Sequence, residues 1–162
     1  RQRQMCIRDR DKREVKIDYT VYENSCPSAY EVICRKAVEI IPNAYSIYSG
    51  FSVGAAVLLE NGEIVAGTNQ ENAAYPSGLC AERTALFYAQ SVYPGVKVKA
   101  LAIAAFNKGI QTEDVVTPCG ACRQVMAEVV KRYGDFEVIM IGRNRSVCLK
   151  ASDLLPFAFT LL

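Results

Sequence analysis

Three cysteines set the strongest constraint on what this chain can fold into. Cys80 stands far upstream of Cys119 and Cys122, and each of the two groups opens a stretch with helical spacing. If the sulfurs meet, two helix N-termini must converge on one point, and the elements that carry them must be arranged around it. The flanking segments are Asn69 to Glu82, NQENAAYPSGLCAE, and Pro118 to Cys122, PCGAC. The first also supplies a carboxylate, Glu82, two residues past Cys80.

Soft sulfur donors in this number suit zinc. Closed structural zinc sites use four protein ligands, whereas a hydrolytic site keeps one position for water. The chain holds no histidine that could complete the set, so Cys80, Cys119 and Cys122 read as the metal ligands of a catalytic centre with one Zn2+ per chain. Both helix N-termini would turn positive dipole ends toward the thiolates and lower their pKa. Arg83, with Arg123 as a second candidate, would add positive charge just outside the ligands. Zinc lowers the pKa of a bound water from about 15.7 to about 7, and the released proton needs an acceptor. Glu82 shares the first helical turn with Cys80 but lies about 200° around it, so one can face the metal while the other reaches the adjacent cavity as proton shuttle. Plainer readings stand beside these. C-x-x-C alone also describes a redox pair, Glu82 a first-turn acid favoured by the dipole, and Arg83 a surface ion pair.

At 162 residues, 51% of them apolar, the chain suits one domain around one core. Its formal charge of +2 hides an asymmetry: residues 1–13 carry six Lys/Arg against two Asp, which leaves residues 14–162 with 13 basic and 15 acidic groups. This mildly acidic body lacks the clustered basic face that nucleic-acid binding requires, and small neutral substrates suit it better. An odd count of seven cysteines argues against an extracellular disulfide framework. Cys6, Cys26, Cys34 and Cys148 are expected as free thiols. No apolar run approaches the roughly 18 to 20 residues of a membrane span, and no secretory leader is visible. The expectation is a soluble, cytoplasmic protein with no membrane partner.

Residues 1–13 have no periodicity and read as a disordered basic arm that need not belong to the domain of residues 14–162. Val15, Ile17, Tyr19 and Val21 alternate as a half-buried strand would, at a sheet edge. Ser28 with Glu31 resembles a capping box, and Ile33, Cys34, Ala37, Ile40 and Ile41 share a helical face that Pro42 ends. Val53 to Leu59 and Glu63 to Thr68 read as strands joined by Asn61-Gly62, the signal of a type I′ hairpin. A helix follows over residues 80–91, with Thr84, Phe87 and Tyr88 in register with Cys80. Val98 to Ala105 is a strand covered on both faces. Cys119 to Tyr133 is helical with Val125, Met126, Val129 and Val130 inward, and strands follow at Phe136 to Ile141 and Ser146 to Leu149. The predicted fold class is α/β, a three-layer α-β-α sandwich with a single mixed sheet of about five strands plus an extra N-terminal strand.

The motifs C-A-E and P-C-x-x-C resemble the signature of the zinc-dependent deaminases. Between Tyr45 and Phe159 the segments YSIYSGFSVGAAV, NQENAAY, CAERTAL, PCGACRQV and LLPFAF are most similar to the small cytidine deaminases of pyrimidine salvage. That resemblance implies hydrolytic deamination of cytidine and deoxycytidine to uridine and deoxyuridine plus ammonia, by zinc-bound hydroxide attack at C4 with Glu82 relaying protons to N3 and to the leaving amine. It implies ribose contacts from Asn69 and Glu71, an aromatic wall from Phe51, and main-chain contacts to the base near Ala81 and Cys119. Tyr75 and Phe159 would stand at subunit interfaces, Phe159 completing a neighbour's site in a homo-oligomer, a tetramer ahead of a dimer. The strand before Ser28 and a long segment from Phe106 to Thr117 depart from the short members of that family. A blasticidin-type aminonucleoside deaminase and a non-enzymatic zinc-stapled interaction module are the alternatives. The plainer reading of Asn69, Glu71 and Asn72 is the end of a strand in a polar loop, and that of Phe51 and Phe159 is core.

Overall fold

The structure, a computed structural model, describes residues 11–161. In chain order its elements are β1 (Tyr19–Glu23), α1 (Glu31–Glu39), β2 (Phe51–Leu59), β3 (Ile64–Thr68), α2 (Ala81–Val92), β4 (Val98–Asn107), β5 (Ile110–Gln111), α3 (Gly120–Tyr133), β6 (Glu137–Ile141) and β7 (Arg145–Lys150). The strands form one mixed sheet in the order β1-β7-β6-β4-β2-β3, with β5 added to the end of β4. Among the strands of the described residues β4 and β6 are the one parallel pair, joined by the crossover helix α3; the other strand pairs are antiparallel.

The apolar run of β4 follows from its central place. Ala100, Ala102 and Ala104 face α1 together with Ala56 and Ile139, while Leu101 and Ile103 face α2 and α3 with Val57, Val138, Met126 and Leu86. Each large side chain sealed there contributes about 1.5–3 kcal/mol. The alanine face is shallow, so α1 lies close to the sheet. On the opposite face Gly67 of β3 does the same for α2, where an added β-carbon would stand 2.7 Å from the Ala85 nitrogen.

This topology positions the site. Because β2 is antiparallel to both β3 and β4, those two strands point the same way. α2 follows β3 and α3 follows the β4–β5 hairpin, so both helices begin beyond the carboxyl ends of their strands. Crevices at that edge are where α/β sheets bind ligands.

Several expectations need correction. Among the described residues the sheet has seven strands, more than the five plus one read from the sequence. The additional one is β5, a two-residue strand that folds the Phe106 to Thr117 segment back onto β4. The edge strand begins at Tyr19 rather than Val15, and Val15, Ile17, Tyr19 and Val21 are all exposed. It is the neighbouring Tyr22 that packs against the core. Ser28 caps nothing, because a 3₁₀ turn over Ser28–Tyr30 delays α1 until Glu31. The Asn61-Gly62 hairpin forms, but not as type I′: the Gly62 N–H closes on the Leu59 carbonyl, and only Gly62 has positive φ. In α2 the buried face is Ala81, Glu82, Ala85, Leu86 and Ala89, whereas Phe87 and Tyr88 are exposed. Cys26, Cys34 and Cys148 are free thiols, and the Cys148 thiol donates to the Glu137 carboxylate. Residues 1–10 of the expected basic arm, with Cys6, lie outside the described residues. Among the described residues no helix is long and apolar enough to cross a membrane.

Candidate active site

Cys80 and Cys119 occupy the same position on different helices. Each is the residue just before its helix, with extended backbone, and each carbonyl accepts the first helical bond, from Thr84 and Arg123 respectively. Neither sulfur caps its own helix, so both are left to face outward from the helix ends. Cys122 sits one turn into α3 and is fully buried. The cap position and the third helical residue stack on one side of a helix start, which is why C-x-x-C beginning there turns both sulfurs the same way. Pro118, also fully buried, fixes the chain before Cys119.

The sulfurs of Cys80 and Cys119 are 3.7 Å apart, those of Cys119 and Cys122 3.5 Å, and all three lie within 4.8 Å of one another. Bonds of about 2.3 Å from sulfur to zinc in a tetrahedron put the sulfurs about 3.8 Å apart. The donor set thus fits one zinc ion, and among the described residues it is the one cluster with this capacity. Cys80 and Cys122 hold their protons unequally. A hydrogen bond from Cys122 and another from Arg83 draw Cys80 down to about 5 against the effect of burial. Cys122 is pushed up by the Cys80 sulfur, by burial and by the Glu82 carboxylate. The Arg83 Nη2 lies 3.6 Å from the Cys80 sulfur, while its buried Nε has no partner among the described residues. Arg123, the other candidate for compensating charge, instead donates to the carbonyls of Pro118 and Leu154 and secures the start of α3.

Glu82, second residue of α2, is 5% exposed, and among the described residues it is the one buried carboxylate, lysine or arginine side chain. Burial pushes its carboxyl up; its own backbone N–H opposes this, and the Cys80 charge adds to it. A buried carboxyl with no cationic partner costs stability, and such groups concentrate where proton chemistry is done.

A cavity of about 470 Å³ opens beside Cys80 and Arg83 and is lined by Tyr48, Asn69, Glu71 and Tyr75 among others. Glu71 accepts hydrogen bonds from Tyr48 and Ser49, and Tyr48 meets Tyr75 edge to face at 6.2 Å. The Asn69 amide bridges to β2, accepting from the Val53 N–H and donating to the Phe51 carbonyl, both at 2.8 Å. Asn69, Glu71, Tyr75, Cys80 and Arg83 are thereby brought together. Ala81 is fully buried at the first turn of α2. Phe51, half-buried at the start of β2, touches this group through its backbone and does not line the cavity. Phe159 is 70% exposed and lies in a separate groove with Gln124, Val125, Glu128 and Leu161. The sequence reading missed Tyr48 and Ser49. Their signal was the serine before Gly50, whose φ of +69° marks a tight turn, but the sequence reading places that stretch in the YSIYSGFSVGAAV resemblance and gives neither residue a role.

An α/β domain with three thiols at two converging helix starts, a buried carboxyl beside them and an adjoining polar cavity defines a zinc-site enzyme. The model of the family "Cytidine and deoxycytidylate deaminase zinc-binding region" matches residues 27–134, and the chain belongs to that family. It is 56% identical over 119 residues to a cytidine deaminase of Sporosarcina psychrophila, covering 72% of this chain and 81% of the relative. It is 42% identical over 132 residues to a cytidine deaminase of Halalkalibacterium halodurans, covering 80% of this chain and 93% of the relative. A solved cytidine deaminase from Burkholderia pseudomallei superposes with a TM-score of 0.65 at 36% identity, over 79% of this chain and 97% of that one.

Proposed function

We propose that this chain is a zinc-dependent cytidine deaminase that hydrolyses the 4-amino group of cytidine and deoxycytidine, giving the uracil nucleoside and ammonia, in pyrimidine salvage. The observation that carries the reading is the buried Glu82 carboxyl within reach of the Cys80 and Cys122 sulfurs, two of three that can share one ion. Cys80, Cys119 and Cys122 would hold the zinc, whose Lewis acidity makes water nucleophilic near neutral pH.

The remaining work falls to the protein. Glu82 takes a proton from the attacking water and delivers it to N3 of the ring, then assists departure of ammonia; burial suits it to this by keeping its affinity for a proton high. Arg83 offsets the charge of the sulfurs through its bond to Cys80. Asn69 and Glu71 receive the sugar at the cavity wall, and the N–H groups near Ala81 and Cys119 hold the base edge. Phe51 serves the site through its backbone, whose carbonyl the Asn69 amide ties down.

Residues 14–162 form the single deaminase domain in this reading, and the protein is a cytoplasmic homo-oligomer. The exposure of Tyr75 and Phe159, 78% and 70%, supports sites completed across subunits, with Phe159 reaching a neighbour. A panel of cytidine, deoxycytidine, a cytosine-containing oligonucleotide and blasticidin, followed by ammonia release, tests the assignment. Turnover of the two nucleosides alone is the expected result, and turnover of blasticidin alone would overturn it.

A further inference from the structure

Glu71 reaches the cavity from a loop, yet its carboxylate is held on both oxygens. Oε2 accepts the main-chain N–H groups of Tyr48 at 2.8 Å and Ser49 at 3.2 Å, and Oε1 accepts the Ser49 hydroxyl. That hydroxyl oxygen in turn accepts the Phe51 N–H at 3.0 Å, so one small side chain ties the carboxylate to the first residue of β2. The Ser49 hydroxyl foremost, with the two N–H groups, holds the Glu71 carboxyl below its ordinary value.

An ionised carboxylate offers about four acceptor positions and no donor. Three are filled here from the protein side, so what faces the cavity is an acceptor fixed in place. Arg83, among the described residues the one cation lining the cavity, already bonds the Cys80 sulfur. Without the Ser49 hydroxyl, Oε1 would lose its partner, the carboxylate could rotate about its bond to Cγ, and the Phe51 N–H would be unpaired.

We infer that Ser49 is a positioning residue for substrate: its hydroxyl fixes the Glu71 carboxylate at the point where a hydroxyl of the ligand's sugar is received. This rests on the nucleoside reading proposed above. Ser49 touches no reacting atom in this scheme, so its removal acts on binding and on sensitivity to that sugar hydroxyl and leaves the proton chemistry of Glu82 intact.

The test compares the zinc-loaded parent protein with Ser49→Ala and Ser49→Thr on cytidine, 2′-deoxycytidine and 3′-deoxycytidine, with inhibition by uridine as a separate binding readout. For the parent, deleting the hydroxyl that Glu71 receives is expected to lower kcat/KM about tenfold or more, the size of a hydrogen bond to a charged group. Ser49→Ala is expected to raise KM for cytidine and the inhibition constant of uridine about tenfold, to leave kcat within about threefold, and to cut the hydroxyl sensitivity to about twofold. Ser49→Thr, which restores the hydroxyl, is expected to return all three toward the parent. A Ser49→Ala protein with the parent's KM and hydroxyl sensitivity, or one that loses kcat with KM unmoved, overturns the inference while leaving the deaminase reading in place. A parent that deaminates none of these nucleosides overturns both.

Discussion

Gly54 and Ala37 meet with no room between them: a β-carbon on Gly54 would stand 2.0 Å from the Ala37 carbonyl oxygen and 2.9 Å from the side chains of Ile40 and Ile41. The close seating of α1 on β2 therefore depends on a missing methyl group. Gly54→Ala is expected to cost about 1–3 kcal/mol or more of stability, since the atom it strikes is backbone and cannot swing aside. Gly120→Ala, at the first position of α3 with nothing within 4 Å of the new carbon, is expected to change stability by no more than about 0.5 kcal/mol. Urea denaturation of the two variants checks the contrast.

Much of this was legible in the sequence, for reasons that differ from element to element. The run of β4 could only be a strand covered on both faces, and the two helices starting at Cys80 and Cys119 were marked by their sulfurs as much as by their periodicity. What escaped was whatever depends on pairing at a distance. Val15 to Val21 alternates as a buried strand would, but alternation does not say which face a neighbour covers, and the structure leaves those apolar side chains exposed. In α2, Phe87 and Tyr88 are large and apolar, yet Gly67 brings the helix close to the sheet, and the buried face is made of three alanines, Leu86 and Glu82. Ser49 was invisible because its partner, Glu71, lies on another loop.

The metal set is testable apart from turnover. Cys122 is fully buried and completes the trio, so Cys122→Ala is expected to hold less than about 0.1 zinc per chain and to unfold at lower temperature, because bound metal stabilises the fold that holds it. Prolonged chelation of the parent should abolish activity, and added zinc should restore it. Elemental analysis of the variant and activity recovery in the parent are the measurements.

Two thiols on the opposite face predict an alkaline limit to stability. Burial pushes Cys148 from 9.0 up to about 12, assisted by the Glu137 carboxylate, and burial likewise raises Cys34. Both are held protonated in the folded chain at a pH where the unfolded chain releases the proton. Their contribution is fully present below about pH 9 and is lost as pH rises from there toward about 12. Denaturation midpoints measured from neutral to alkaline pH should fall less steeply for Cys148→Val than for the parent; parallel curves would contradict the assignment.

The exposed ring of Phe159 gives a prediction about assembly. Phe159→Ala is expected to raise KM for cytidine about tenfold or to lower the molecular mass seen in sedimentation, with unfolding of the chain itself little changed. A variant with the parent's mass and KM would remove Phe159 from the site.

Glu82→Gln tests the central claim most directly, because it keeps the shape of the side chain and removes its ability to carry a proton. The variant is expected to bind the parent's complement of zinc while its kcat on cytidine falls by roughly 10²–10⁴. Full zinc with undiminished turnover would show that the buried carboxyl beside the three sulfurs is not the group that moves the proton.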